Sequence, residues 1–367
     1  MNFTRTWAIT RKELLHIGRD KRSLIMALGV PFLLLILFCY ALSLDVDRVP
    51  TYIYDQDRSP ESRDLIARFA GSRYFDIRSR AESLAEIDAA IVRGDAILAM
   101  VIPPRFSERL ITRHPEPVQL ILDGADSNTA SIAQAYALNT VSAFAAERFH
   151  VKPAVEAQMR VWYNSSLISR NFIVPGLVAV ILMIIAALLT SLTIAREWES
   201  GTMEQLLSTP LRPAEMVLGK LAAFFVLGVA DAVIAIGAAV WIFDVPFRGS
   251  VVFLGGATAL FLFGAFSWGI FISSVANSQL LAYQMGLLST FLPAFLLSGF
   301  IYAIENMPLP IRVVSNVTPS KYFVTILKGS FLKGVGFETL WPQIAFLSIY
   351  AALVATLAIK RLRTKVA

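Results

Sequence analysis

The residues best placed to do chemistry lie in one short run: Arg196-Glu197-Trp198-Glu199-Ser200-Gly201-Thr202-Met203-Glu204-Gln205-Leu206-Leu207-Ser208-Thr209-Pro210-Leu211-Arg212-Pro213, with Glu215 just beyond. Gly201 supplies a turn, and Thr202 to Gln205 has the spacing of a capping box. A short helix is expected to follow, with Met203, Leu206 and Leu207 forming an apolar knob. Pro210 and Pro213 stop it and set up the next element. An acidic helix with an apolar tip suits docking onto another protein rather than breaking bonds. The plainer alternative is a solvated connector whose glutamates cap helices, each contributing a few tenths of a kcal/mol.

Nothing else in the chain reads as a catalytic centre. No lysine is followed by Ser or Thr, so a phosphate-binding P-loop cannot form. Neither G-x-S-x-G nor H-E-x-x-H occurs. The chain is therefore not expected to hydrolyse nucleotide; uphill work would draw on a partner or an ion gradient. His16, His114 and His150 are far apart and Cys39 is the single cysteine, so neither a metal site nor an internal disulfide is expected. Asp123 and Asp126 follow a predicted strand and read as turn and cap residues before a ligand site.

The elements that position these residues are mostly apolar. The 367 residues are 56% hydrophobic and 16% charged, with a mean hydropathy of +0.61. Soluble domains average about 45–50% apolar and about 25% charged. Of the 27 acidic residues, 17 fall within residues 45–156, and none within 172–194. This is the pattern of a membrane protein with one water-exposed domain, which excludes a soluble enzyme, a disordered chain and a nucleic-acid binder. Six spans are predicted, at 23–44, 172–194, 217–243, 251–275, 280–303 and 343–360. Pro342 is expected to mark the outer start of the last. The first is read as an uncleaved anchor, because its apolar run exceeds the roughly 7–15 residues of a signal-peptide core.

Positive charge sets the orientation. Arg5, Arg11, Lys12, Arg19, Lys21 and Arg22 precede the first span, and Lys360, Arg361, Arg363 and Lys365 follow the last. Both ends are thus expected in the cytoplasm, and the net charge of +6 is read through topology rather than as a phosphate footprint. Block 45–171 then lies outside. Its runs 51–54, 74–78, 96–102 and 118–122 read as strands. Helices are expected after Ser59-Pro60, with Leu65, Ile66 and Phe69 as core, and after the capping box Ser83 to Glu86, ending at Gly94. A long alanine-rich helix, 131–149, leads back to the membrane. The fold class is an α-helical membrane protein with six transmembrane helices plus an inserted extracytoplasmic α/β domain holding a mostly parallel sheet.

Asp231 is the one carboxylate well inside a predicted span, roughly 16 Å of helix beyond Lys220. An insertion cost of about 2.5–3.5 kcal/mol requires it to face protein or water. A hydrogen-bonding role and a cargo or cation role are both open. So sparse an intramembrane charge, without internal repeats, disfavours a gradient-driven transporter. A membrane-anchored sensor would need neither six spans nor an acidic docking loop.

The run R-E-x-E-x-G-T-x-E-Q-L-x-x-T-P at 196–210 resembles the ABC-2 type permeases, the membrane subunits of bacterial ABC exporters. The resemblance continues in Gly219-Lys220, Leu297-Ser298-Gly299, Asn306-Met307-Pro308, Thr318-Pro319 with Tyr322, and Arg11-Lys12-Glu13. It covers the whole chain and matches the multidrug-type branch with an external domain after the first span. It implies a multi-pass protein of the bacterial inner membrane, paired with a second permease, identical or related, and with two ABC ATPase subunits. Those subunits would bind the ATP, so this chain needs no cofactor. A periplasmic membrane-fusion adaptor often joins such systems. Arg196, Glu197, Glu199, Gly201, Thr202, Glu204, Gln205 and Leu206 would form the ATPase-coupling helix. Residues 3–17, with Phe3, Trp7, Leu14 and Ile17 on one stripe, would form an interfacial connecting helix. The apolar, proline-broken segment 304–342 is expected as short re-entrant helices covered by protein, either capping an exit path or simply joining two spans. Phenylalanine-rich spans favour an amphiphilic, drug-like or lipid-like cargo over a free ion.

Overall fold

A computed structural model describes residues 2–41, 47–112, 117–149, 162–164 and 168–366. The expected end of the first span at 42–44, and both His114 and His150, lie outside the described residues. The chain divides into two compact units, 44–160 and the remainder (1–43 with 161–367). In chain order the elements begin with helices α1 (Phe3–Arg19) and α2 (Lys21–Ala41). The smaller unit then contributes β1 (Val49–Asp55), α3 (Pro60–Ala70), β2 (Phe75–Arg80), α4 (Leu84–Val92), β3 (Leu98–Ile102), α5 (Phe106–Ile111), β4 (Gln119–Leu122) and α6 (Ser127–Phe149).

The smaller unit mixes strands and helices. Its four-stranded sheet has the order β2-β1-β3-β4, with β1 parallel to β2 and β3, and β4 antiparallel to β3. All five residues of β3 are buried, as suits an interior strand covered on both faces. The Ser59 hydroxyl accepts the Ser62 amide to start α3, which buries Leu65, Ile66 and Phe69. Ser83 accepts the Glu86 amide to start α4, but the Glu86 carboxylate reaches back to the Glu82 amide rather than to Ser83. Asp126 accepts the Asn128 and Thr129 amides, so α6 begins four residues before the expected start. Asp123 accepts the Ala125 amide. Both aspartates therefore do turn and cap work.

The larger unit continues with α7 (Ser169–Glu199), α8 (Thr202–Leu207), α9 (Pro213–Trp241), α10 (Val251–Val275), α11 (Gln279–Leu296), α12 (Leu309–Ser315), α13 (Pro319–Lys328) and α14 (Phe337–Val366). Among the described residues, α7, α9, α10, α11 and α14 are long and apolar enough to cross a membrane; the apolar part of α2, Ala27–Ala41, is shorter. Two boundaries differ from the sequence reading. α11 stops at Leu296, because Gly299 takes a left-handed turn (φ +75°) that an apolar run does not disclose. α14 starts before Pro342, which lies inside the helix, and it continues through Val366, so the basic tail extends the last helix. The segment between α11 and α14 does form short helices. They are tied to the core by Phe323 stacked on Phe261 (4.1 Å) and Tyr322 stacked on Phe346 (3.8 Å).

The centre of this unit is α7, the most buried of the long helices, which packs against α2, α9, α10, α11 and α13. Its seam with α10 is unusually close. A Cβ at Gly269 would lie 2.0 Å from the Thr190 hydroxyl and 2.4 Å from the Ala187 carbonyl. That approach brings the Thr190 hydroxyl to 3.0 Å from the Phe266 carbonyl, and lets Ser273 Oγ accept the Ile194 and Ala195 amides (both 2.9 Å). Buried polar groups are thus satisfied across the seam. Gly269→Val is therefore expected to force α7 and α10 apart, at about 1–3 kcal/mol or more. The check is the thermal denaturation midpoint in detergent, which should fall for Gly269→Val and hold for Gly255→Ala, where a Cβ meets nothing within 4 Å.

Candidate functional site

The site is built where α1 crosses the start of α9. Asn2 caps α1 by accepting the Thr4 amide, and its own amide donates to Glu215 Oε1 (2.8 Å). Glu215 Oε2 accepts the Arg212 amide (3.1 Å), so this carboxylate joins the beginnings of two helices. Gly219 then permits contact at backbone range, since a Cβ there would meet the Ile9 side chain at 2.7 Å and the Thr6 carbonyl at 2.9 Å. The Thr10 hydroxyl is 3.1 Å from the Gly219 carbonyl.

That crossing places Lys220 in the interior with 1% of its surface exposed. Its ammonium donates to Glu13 Oε1 at 2.8 Å and to Glu197 Oε1 at 3.0 Å. Lys12, half exposed, donates to the same two oxygens at 3.2 Å and 2.8 Å. Glu13 and Glu197 are each 6% exposed. Two ammoniums and two carboxylates thus form a neutral cluster joining α1, the end of α7 and the start of α9. Burial alone would raise the Glu13 value, but the Lys220 and Lys12 charges and hydrogen bonds outweigh it and hold the carboxyl below its usual range. A buried cluster of this kind adds little net stability when complete. Removing one partner costs about 3–5 kcal/mol, because a charge is left unpaired in the interior.

The cluster carries the short helix of the 196–213 run. Gly201 is the N-cap of α8 at φ +71°, and no side chain caps it. The expected capping box is therefore absent: Thr202 is already helical, and its hydroxyl bonds to the Glu197 carbonyl (3.3 Å). The expected apolar knob is also turned inward. Met203 is fully buried in the same hydrophobic cluster as Ile194, Met216 and Val217, and Leu206 packs against it; the Leu207 side chain lies outside the described ones.

The four glutamates separate by partner. Glu197 and Glu215 are buried, and both hold helices of this chain together. Glu199 accepts the Gln279 amide (3.0 Å) at the start of α11, and Arg196 Nε lies 3.4 Å from Gln279 Oε1. Glu204 remains exposed beside Gln205, with no side-chain partner among the described residues. Asp231 lies apart on α9, 3% exposed, and its Oδ1 has no hydrogen-bond partner. It is not part of this cluster.

Sequence reasoning had Glu13 and Lys220 in view only as separate motif pieces. The signal that could have paired them is a lysine set among apolar residues near the start of a span, which requires a carboxylate partner. Because the Glu13 carboxyl titrates below its ordinary value of 4.5, its contribution is complete above that pH and is lost as pH falls through the lowered value. A fluorophore on Arg11→Cys, with Cys39→Ala, is therefore expected to lose anisotropy in one step below pH 4.5 as α1 loosens. Adding Glu13→Gln should remove that step.

The family described as "ABC-2 family transporter protein" matches residues 21–360. The "Probable multidrug ABC transporter permease YbhS" of Escherichia coli K12 is 36% identical over 343 residues, covering 91% of this chain and 90% of that one. "Probable multidrug ABC transporter permease YbhR" of the same strain is 32% identical over 367 residues, covering 99% and 100%. The "Inner membrane transport permease YhhJ" of that strain is 29% identical over 328 residues, covering 86% and 85%. Since the family match spans residues 21–360 of 367, the chain belongs to the ABC-2 family of transporter proteins.

Proposed function

We propose that this chain is the permease subunit of an ATP-driven ABC-2 exporter in the bacterial inner membrane. It would form the translocation path with a second permease and take its energy from two separate ATPase subunits. The observation that carries this reading is the mounting of α8. A helix of six residues ends a long apolar helix, turns outward on a left-handed glycine, and presents Glu204 and Gln205 to solvent. Its base is clamped to α1 and α9 through Glu197. A force applied to such a helix passes into α7 and α9 rather than dissipating in a loop.

In this reading α2 is the first of six spans, both termini are cytoplasmic, and the unit 44–160 lies on the outer side, where a membrane-fusion adaptor can meet it. The exposed Phe3 and Trp7 on α1 suit a helix lying at the inner interface. The chain itself performs no catalysis and holds no nucleotide. Its cargo is amphiphilic, drug-like or lipid-like.

Coupling through α8 has a direct test. Gly201→Val places a β-branched residue at positive φ, costing at least about 1–2 kcal/mol and misaiming the helix. Glu204→Lys reverses the exposed charge without touching the buried cluster. Both variants are expected at normal levels in membranes, with reduced co-purification of the ATPase subunit and loss of dye efflux. Full ATPase recovery and full efflux in both would overturn the reading.

A further inference from the structure

Lys328 is the last residue of α13, and its ammonium meets two other parts of the chain. It donates to the Gly299 carbonyl at 3.1 Å, in the left-handed turn that ends α11. It also lies 3.3 Å from the centre of the Phe172 ring, near the start of α7. Among the described residues, no hydrogen bond or ion pair joins it to a carboxylate. α7 is thus held by a lysine near both ends, at Glu197 by Lys220 and at Phe172 by Lys328, roughly 37 Å of helix apart.

The two ties differ in what they leave behind when broken. Drawing Lys220 away strands two buried carboxylates. Drawing Lys328 away leaves a phenyl ring and a backbone carbonyl, both neutral, while the ammonium regains water. The tie at Glu197 therefore stays made, whereas the tie at Phe172 can open and close without stranding a charge. Lys328 also stands at the join between α13 and a π-helical turn, Gly329–Lys333. Turns of that kind are rare and concentrate at functional sites. We propose that Lys328 is a positioning residue for transport: its ammonium is a releasable latch that closes α13 onto the start of α7 and the end of α11. That end of α7 moves when the latch lets go. The latch stands on the geometry; its place in a transport cycle rests on the exporter function proposed above.

The reporter is a single cysteine, Ser298→Cys with Cys39→Ala, in the full-length chain in membrane vesicles with its ATPase subunits. Ser298 adjoins Gly299 and is 2% exposed, and its hydroxyl has no partner among the described residues, so the substitution removes no hydrogen bond. Ser267→Cys, buried in α10, is the control. The rate of alkylation by N-ethylmaleimide, which crosses membranes, is measured at each. Without ATP, Lys328→Met is expected to speed alkylation at residue 298 at least about tenfold, the factor one charged hydrogen bond makes, and to leave residue 267 unchanged. Lys328→Arg keeps a charged donor that also stacks on aromatic rings, and should hold the parent rate. Phe172→Leu removes the ring alone and should accelerate alkylation at residue 298 to a smaller extent; it decides the matter if Lys328→Met does not assemble. Parent rates at residue 298 in the assembled variants, or equal acceleration at 298 and 267, would overturn the latch. Adding ATP should accelerate alkylation at residue 298 in the parent chain and change nothing in Lys328→Met. Acceleration by Lys328→Met with no ATP response in the parent would keep the latch and overturn its place in transport.

Discussion

A lysine withdrawn from water fixes the construction where α1, α7 and α9 meet. Lys220 sits near the start of a long apolar helix with 1% of its surface exposed, where an unpaired ammonium would be intolerable. Its two carboxylates come from opposite directions in the chain, Glu13 from the N-terminal helix and Glu197 from the end of α7. Three helices are therefore held in one relative placement, because any separation strands a charge. Gly219 is the condition for this, since a side chain there would hold α1 away from α9 and take Glu13 out of reach. Glu215 reinforces the joint one turn earlier by accepting amides from both helix starts.

The exposed part of the 196–213 run depends on that joint. α8 is too short to hold a direction by its own hydrogen bonds. It inherits its direction from Glu197 and Ser200 behind it, from the positive φ of Gly201, and from Met203 buried in the helical core. Residues that a sequence profile groups as one acidic patch have separate duties. Glu197 is an internal counter-charge, Glu199 caps α11, Glu215 staples α1 to α9, and Glu204 faces outward. Arranged so, α8 has an outward face at Glu204 and Gln205 and an inward face packed against the core around α7.

Much of this architecture could be read from residue order. Strands and helices of the 44–160 unit stand out because short β-branched runs alternate with Ser-capped stripes such as Ser59 to Phe69. The long helices stand out because charge is absent from them. What stayed hidden depended on distance in sequence or on backbone conformation. The Lys220 cluster joins residues 207 and 23 positions apart, which no local pattern reveals. Thr202 has the spacing of a capping box, yet the left-handed Gly201 takes the cap position and turns that hydroxyl toward Glu197. Met203 and Leu206 have a helical stripe's periodicity, but periodicity does not say which way the stripe faces, and here it faces the core. Likewise, the apolar run after Leu296 conceals the turn at Gly299 that ends α11.

One buried ammonium makes α1, the end of α7 and α8 a single mechanical block. Hydrogen–deuterium exchange on Lys220→Met tests it most directly. That substitution keeps an apolar stem of similar length and leaves Glu13 and Glu197 without their shared partner. Exchange is expected to accelerate together in α1, in residues 194–199 and in α8, while α10 keeps the protection of the parent protein. Acceleration confined to α9 around the substituted position, with α1 and α8 unchanged, would contradict it.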